Sequence, residues 1–589
     1  MGSAYISTNK AACRDCYKCL RECPVKAIRM TNGQAYVDES RCILCGKCVK
    51  VCPQHAKNYR NDVSVVKEFI AEGHRVIASI APSYAAIFES WQVKRLPAVL
   101  KVLGFSAVED TSIGALYNTK ATFDFIKQNP DDSFLSTACP AVVNYVEKYR
   151  PDLLSVLVPV VSPMIAHGKL IKKKYGADVK VVFIGPCIAK KYEAERPELK
   201  NIVNAVLTFE ELTNWISAEN LSFENCEESR FDNDAPYFSI LFPLSGGLFN
   251  TADKNYLRMN SEMLAVNGYQ QVKDACDYLK SSKNGKIIEP LFCTSGCIGG
   301  PGIDSDKNVF ERKANLLDYF NKAKNSGEEL INDIDHTSLD TKTHFSAKRF
   351  DEKSPEEKEI KDLLLKIGKT DDSDHLNCGA CGYDTCREKA KAVLNGMAEV
   401  EMCIPYMRYI SEKRTDKIIE STPNGIVILN EELNIIHMNA SFKSFFNCDE
   451  AFIGKKISSL MDIESFEELA AGDKELIETT TEFENLNLVF HILLYKLKED
   501  NQIVGIFVDI TKNLADKKKL VSLRARTLIQ AQELLEHQIE MAQKLAKYLG
   551  ESTAKGETLV ESLMSLTEDE EKKKDSPRKN WLWDTYTLK

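Results

Sequence analysis

Two periodicities divide the chain. RVIASIAPSY (75–84), SVLVPVVSP (155–163) and DVKVVFIGPC (178–187) are nearly continuous apolar runs of strand length, whereas PAVLKVLGF and EELTNWISA space their apolar residues as helices do. Buried strands alternating with helices predict an α/β domain over 61–345. Further along, KIIESTPNGIVILNEELNIIHMNASFKSFF predicts helix, strand, turn, strand and helix. NLVFHILLYKL with NQIVGIFVDIT predicts two long antiparallel strands, so 413–513 reads as a separate α+β module. Between the two lies a small segment, 346–412, that opens with a charged, exposed, helix-like stretch over 346–362. Beyond the second module, Val521, Leu528, Leu535, Ala542 and Leu549 recur at seven-residue spacing, with Ala531, Ile539 and Leu545 beside them. That repeat predicts a coiled coil, or a long helix packed on a partner, over 514–560; a helix folded back on its own chain is the competing reading. The remainder, 561–589, is a charged, flexible tail ending in Trp581 and Trp583, which serve either as docking anchors or as packing on the chain itself.

The 589 residues leave room for three or four domains, and a hydrophobic content of 44% is enough for real cores. A net charge of -9 gives no reason to expect nucleic acid. No apolar run approaches the roughly 18 residues of a membrane span, and the opening MGSAYISTNK has no signal-peptide core. With thiol-rich sites that must stay reduced, this predicts the cytoplasm of an organism living with little oxygen.

Cysteine changes the picture. Sixteen of the nineteen fall into three groups, leaving Cys226, Cys276 and Cys448 outside any motif. The first group is Cys13, Cys16, Cys19, Cys23-Pro24 and then Cys42, Cys45, Cys48, Cys52-Pro53. Each run reads C-x2-C-x2-C-x3-C-P, and two in tandem over 1–60 describe a ferredoxin-like module for two 4Fe-4S clusters. The fourth cysteine of each run crosses over. Cys13, Cys16, Cys19 and Cys52 are therefore expected on one cluster, and Cys42, Cys45, Cys48 and Cys23 on the other. Zinc sites rarely repeat such a run, and a disulfide framework needs an oxidising compartment. The second group sits in three loops after apolar runs: Cys139 in STACPAV, Cys187 in IGPCIAKKYE, and Cys293 and Cys297 in PLFCTSGCIGGPG. A lone cysteine is by default a small buried hydrophobe, but four at strand-to-loop junctions, two of them in a glycine-rich C-x3-C turn, are poorly explained that way.

Those three loops resemble the signature loops of the FeFe hydrogenases. Supporting segments are APSYAAIFES (81–90), VLGFSAVEDTSIGA (102–115), VSPM (161–164) and LSGGL (244–248). The resemblance covers roughly residues 5–300 and implies a two-lobed α/β domain holding an H-cluster, a 4Fe-4S cube joined through one cysteine to a di-iron unit with carbon monoxide, cyanide and a bridging dithiolate. It implies that Cys139, Cys187, Cys293 and Cys297 hold the cube and that Cys297 bridges to the di-iron unit. Lys190 corresponds to the lysine that hydrogen-bonds a cyanide, and Glu193 to the acid closing the second loop. The substrates implied are molecular hydrogen and protons, and the electron partner a ferredoxin or another one-electron carrier. The chain also departs from the family. Ala138 stands where hydrogen-producing members have a proton-passing cysteine, LYNTKAT (116–122) carries no acid, and Gly185 and Leu291 stand where methionines are usual. Losing a positioned proton-transfer group costs roughly 10²–10⁴-fold, so a slow or differently routed hydrogenase is expected.

The third group, Cys378, Cys381, Cys386 and Cys403, reads C-x2-C-x4-C-x16-C and resembles a small single-cluster domain attached to redox enzymes; a zinc knuckle is the alternative. With the first group it makes three accessory 4Fe-4S clusters. GIVILNEELNIIHMNASF ending in VDIT resembles a PAS domain, in which His437 or His491 could ligate haem, although a lone strand histidine is more often structural. The assembled expectation is a sensory or regulatory hydrogenase that turns hydrogen over slowly and passes electrons to a PAS and coil output. A homodimer through PAS or coil and a separate kinase or phosphatase partner complete it. The alternatives are a ferredoxin-linked catalytic hydrogenase using PAS to dimerise, and an electron-transfer scaffold without the di-iron unit.

Overall fold

The computed structural model describes residues 4–234, 236–252, 262–281, 285–325, 336–472, 474–497, 501–511, 537 and 541. The chain forms two compact units, 1–406 and 407–589, with the boundary inside the helix Ile404–Ser421. The heptad residues and the tail with Trp581 and Trp583 lie outside the described residues.

The first sixty residues form a ferredoxin-like module of two matching halves. Ile6–Thr8 pairs antiparallel with Lys57–Tyr59, and Ile28–Thr31 with Gln34–Val37. Each cysteine run turns into a short helix, Lys18–Arg21 or Lys47–Lys50, whose N-cap residue, Tyr17 or Gly46, is left-handed.

The central domain is built on two parallel sheets. One has the order Ala107–Asp110, Val76–Ile80, Lys180–Gly185, Ala205–Thr208. Its strands read as continuous apolar runs because helices cover both faces. Thr208 begins the helix Phe209–Ala218 with a reciprocal cap, its Oγ1 accepting from Glu211 N at 3.1 Å while Glu211 Oε2 accepts from Thr208 N at 2.6 Å. The other sheet is Glu262–Asn267, Lys286–Leu291 and Phe134–Leu135. The expected strand over 155–163 does not form. Pro151–Val156 is a 3-10 helix, and only isolated bridges follow, from Leu157 to Leu135 and from Val160 to Lys342. Pro159 has no N–H to give a ladder, so the segment is buried by its apolar content without joining either sheet.

In the small segment the helix starts at Glu357 and runs to Lys366, and residues 347–356 before it have no regular structure, so the expected 346–362 helix is half wrong. It packs on Cys386–Leu394 through Ile360, Leu364, Ile367 and Ala390.

The second unit contains a five-stranded antiparallel sheet, in the order Ile435–Met438, Gly425–Leu429, Gln502–Asp509, Leu488–Leu497, Leu476–Phe483. The last of these has no strand signature in the sequence, because LIETTTEF is polar at most positions and lies on an exposed edge. The helices Ala440–Phe446 and Glu464–Ala471 contribute Phe442, Phe446, Phe466 and Leu469 to a core shared with Phe490 and Phe507.

Candidate metal centre

Parallel strands bring their C-terminal ends to one edge, and in open α/β sheets that edge is where ligands sit. Here the edges of both sheets face one cleft. From the first come Ala81-Pro82-Ser83, Thr111 and Pro186-Cys187; from the second come Ala138-Cys139 and Phe292-Cys293. The cleft holds two adjoining cavities that share Ala138, Pro186, Cys187, Lys190 and Cys297. One, of about 450 Å³, is lined by all four of Cys139, Cys187, Cys293 and Cys297. The other is lined by Cys187 and Cys297 and has a largely apolar wall with Met164, Phe183 and Phe242.

The thiols act on one another as sets. Burial, first of all, raises Cys187 to about 11 and lifts Cys293 and Cys297 higher still, and in each case neighbouring cysteines of the same four push further. Thiolates are the ligands, so loading such a site must release protons. Gly296, at φ 76, enables the third loop's turn: a Cβ there would stand 2.5 Å from the Pro243 carbonyl. Lys190 is 8% exposed, and its Nζ donates to Glu193 Oε2 at 2.7 Å and to the Ala138 carbonyl at 3.4 Å. Ala138, Lys190 and Glu193 are thus brought together. Gly185 lies against Phe183, whose ring would be 2.6 Å from a Cβ there, so phenylalanine occupies the space a longer side chain at 185 would need. Leu291 is buried at the end of its strand and lines the cavity of the four cysteines.

In the ferredoxin module the thiols also act on one another in groups. Cys19, raised mainly by burial, is pushed further by Cys16, Cys13 and Cys52, while Cys48 feels Cys42, Cys45 and Cys23. Backbone N–H groups of Ala27 and Ala56 donate to Cys23 and Cys52 Sγ at 3.2 Å each, and such donors tune cluster potentials. The module docks so that Cys45 lines the cavity of the four central cysteines, and Gly46 lets it come close: a Cβ would stand 2.5 Å from Pro301. The third group also converges. Cys378, Cys381, Cys386 and Cys403 line a cavity of about 390 Å³ with Lys389 and Tyr383. Its loop sits on the ferredoxin module, with Lys26 Nζ donating to the Gly382 carbonyl at 2.7 Å and Arg21 Nη1 to that of Ala380 at 3.1 Å. Among the described residues no three His, Cys, Asp or Glu side chains stand close enough to hold a single metal ion. Each cysteine of a cubane holds a different iron, which is a wider arrangement.

Cys276 is buried and Cys226 and Cys448 are half-buried, all apart from these sets. His437 lies partly exposed beside Glu420, and His491 beside Thr480 and Glu478, both on the sheet and outside the phenylalanine core. Sequence reasoning missed Glu289, 2% exposed, which burial raises to about 7 although Leu248 N donates to it at 2.9 Å. Its signal was an acid inside the apolar strand KIIEPL. It also missed the buried partners of His167, which are distant in sequence.

Four thiol sets lie in one unit, one of them in the two-sheet cleft, and the chain carries domains that match iron–sulfur and iron-only hydrogenase families. Residues 74–301 match the C-terminal domain of the iron-only hydrogenase large chain, 12–56 a 4Fe-4S dicluster domain, 374–405 an Fe-S cluster family and 413–482 a PAS domain. The chain is similar to iron hydrogenase 1 of Clostridium pasteurianum, 27% identical over 284 residues that make up 38% of this chain and 50% of the relative. It is also similar to the periplasmic Fe hydrogenase large subunit of Nitratidesulfovibrio vulgaris, 28% identical over 362 residues, 51% of this chain and 86% of the relative. A shorter stretch of 87 residues is 39% identical to the cytosolic Fe-S cluster assembly factor NAR1 of Vanderwaltozyma polyspora, covering 15% of this chain and 17% of that protein. The chain thus spans about half the length of the Clostridium relative. Among the described residues no helix is long and apolar enough to cross a membrane.

Proposed function

We propose that this chain is a sensory or regulatory FeFe hydrogenase that binds and slowly turns over molecular hydrogen at an H-cluster. The observation that carries the proposal is the second cavity. A site for a 4Fe-4S cube alone needs the four-cysteine cavity; the adjoining cavity, lined by Cys187, Cys297 and Lys190, offers a place for a further group. The donor set suits it, with a thiolate to bridge from Cys297 and a buried ammonium at Lys190 to donate to an anionic ligand. The di-iron group would supply an open metal position and a pendant base for splitting hydrogen. The protein's own residues hold, orient and exclude water: Met164, Phe183 and Phe242 keep the wall apolar. Electrons would leave through the cluster of Cys42, Cys45, Cys48 and Cys23, which lies next to the cleft, and pass to those of Cys13, Cys16, Cys19 and Cys52 and of Cys378, Cys381, Cys386 and Cys403. The PAS module and the helical segment would pass the redox change to a separate kinase or phosphatase in the cytoplasm, as a homodimer. The ring-filled PAS core supports transmission over ligand sensing there.

A second reading has one specific support, the likeness to NAR1: an iron–sulfur scaffold or assembly protein without the di-iron group. Reconstituting the full chain with iron, sulfide and a di-iron mimic separates the two. Carbonyl and cyanide infrared bands that shift under hydrogen support the hydrogenase reading, and their absence after full iron loading favours the scaffold.

A further inference from the structure

Ala138 removes the usual proton-passing thiol from the cleft, and a site that splits hydrogen must still part with protons. A continuous chain of hydrogen bonds leaves the same cavity at Thr111. Thr111 lines the cavity. Its Oγ1 lies 2.8 Å from Ser79 Oγ, which lies 2.7 Å from His167 Nδ1; His167 Nε2 lies 3.0 Å from Glu109 Oε2. Glu109 Oε1 accepts from Lys174 Nζ at 2.6 Å and from Tyr175 Oη at 2.8 Å. Ser79 and His167 are 0% exposed and Thr111 and Glu109 3%, whereas the Lys174 side chain is 48% exposed.

The fold places these groups with little freedom. Ser79 and Glu109 are register partners on adjacent parallel strands, and Thr111 follows the end of the second. His167 reaches them from the helix Pro163–Tyr175, which crosses close to Ser112–Gln128 because Gly114 has no Cβ; one there would stand 2.7 Å from His167 Cβ. On the cavity side, Ser83 Oγ is buried without a protein hydrogen-bond partner, so that wall has a polar group left for water or a ligand. A histidine buried only for packing would end its hydrogen bonds inside the core. This one links a cavity to the surface.

We propose that Thr111, Ser79, His167 and Glu109 form a proton conduit between the cavity at Cys297 and solvent at Lys174; this rests on the hydrogen-turnover reading above. The polarity follows from the carboxylate. Burial works to raise Glu109, but hydrogen bonds from His167, Lys174 and Tyr175 outweigh it and hold the group at about 2, so it accepts. His167 then donates from Nε2 and accepts at Nδ1 from Ser79, which accepts from Thr111. A proton arriving on the Thr111 oxygen displaces the Thr111 hydroxyl proton to Ser79 and the Ser79 proton to Nδ1. The Nε2 proton passes to Glu109 and on to water beside Lys174. One proton leaves the cavity and one enters solvent, with no change of oxidation state. The hydroxyls and the ring must reorient before the next passage, and in so buried a place that fits slow turnover.

The test uses the full chain with its clusters and a di-iron mimic installed, comparing wild type with His167→Gln, Ser79→Ala and the nearly isosteric Thr111→Val. Glutamine fills the histidine's place without titrating. The expected result is unchanged infrared band positions in every variant, with hydrogen-driven dye reduction falling by roughly 10²–10⁴-fold in His167→Gln and a larger solvent deuterium effect. The rate at which the carbonyl bands follow a pH jump under argon should fall in parallel, which altered packing alone would not cause. Variants that keep wild-type rates, pH-jump response and isotope effect overturn the conduit while leaving the hydrogenase reading intact. If His167→Gln does not fold, Thr111→Val decides by the same readouts. A wild type that loads iron fully yet shows no carbonyl bands overturns the hydrogenase reading, and the conduit with it.

Discussion

The central domain and the PAS module bury opposite things. Around the cleft, charge is buried: Lys191, 0% exposed, sits between Asp62 at 3.1 Å and Glu211 at 3.0 Å, and Arg196 reaches Glu147 at 2.5 Å. In the PAS module the core is a cluster of phenylalanines, mostly edge to face, with Phe442, Phe446, Phe490 and Phe507 at ring-centroid separations of 4.6 to 5.8 Å. Asn439, the polar residue buried there, is used up in capping Ala440–Phe446 and in backbone bonds to Ile426 and Ile419. Buried ion pairs contribute little net stability, so a fold that keeps several is organised around polar chemistry and fixed geometry. A ring-packed core gives a stiff body with little chemistry of its own.

The widest separation between the two is chemical. Cys297→Ala should abolish the carbonyl and cyanide bands and lower hydrogen turnover by at least about 10³-fold, since the thiol proposed to join the cube to the di-iron group is gone. Phe490→Ala should leave those bands in place. Its cost should be about 3–5 kcal/mol of PAS stability, read as an earlier PAS transition in a melt whose central-domain transition does not move. Bands that survive Cys297→Ala would show that the two regions do not differ in the way proposed.

A stability test on the charged side comes next. Lys191→Ala leaves Asp62 and Glu211 facing each other without their cation and should cost about 3–5 kcal/mol, whereas Lys191→Met, which fills the same volume, should cost nearly as much. Urea midpoints of the cofactor-free chain measure both. A loss under about 1 kcal/mol would mean that solvent reaches the pair.

Glu289 sharpens the comparison through pH. Its folded value of about 7 lies above the ordinary 4.5, so between these pH values the folded chain holds a proton that the unfolded chain has released. Stability therefore falls as pH rises from about 4.5 to 7, by about 3 kcal/mol in all at 1.36 kcal/mol per unit. Glu289→Gln should match wild type at pH 4 and exceed it by that amount at pH 8, measured on the cofactor-free chain. A variant with the wild-type slope would place the titrating group elsewhere.

How legible these regions are in sequence depends on the range of the contacts. Ligation dictates cysteine spacing, so the thiol sets at 13–52 and 378–403 can be read locally, and Val76–Ile80 and Lys180–Gly185 announce themselves as apolar runs because both sheet faces are covered. The run at 155–163 misleads for the same reason: it is nearly as apolar, though less completely buried, and only its prolines tell against a strand. The chain from Thr111 to Glu109 is invisible in sequence. Its members lie up to 88 residues apart, on two strands and a helix, and each alone reads as an ordinary core residue.

The smallest expected effect bears on how the cleft passes protons. Ala138→Cys restores a thiol at a position that lines both cavities. If that missing thiol limited turnover, the substitution would raise the rate by tens- to hundreds-fold. LYNTKAT offers no acid to continue a path from residue 138, and the proposed conduit through His167 starts instead at Thr111. A new thiol would then have nowhere to send its proton, and hydrogen-driven dye reduction should stay within about twofold of wild type. A rise of tenfold or more in Ala138→Cys alone would mean that protons leave past residue 138, and that His167, for all its connections, is structural. A rise only when an acid is added in LYNTKAT as well would show that the path on that side lacked two members, and that the charged core around His167 serves in their place.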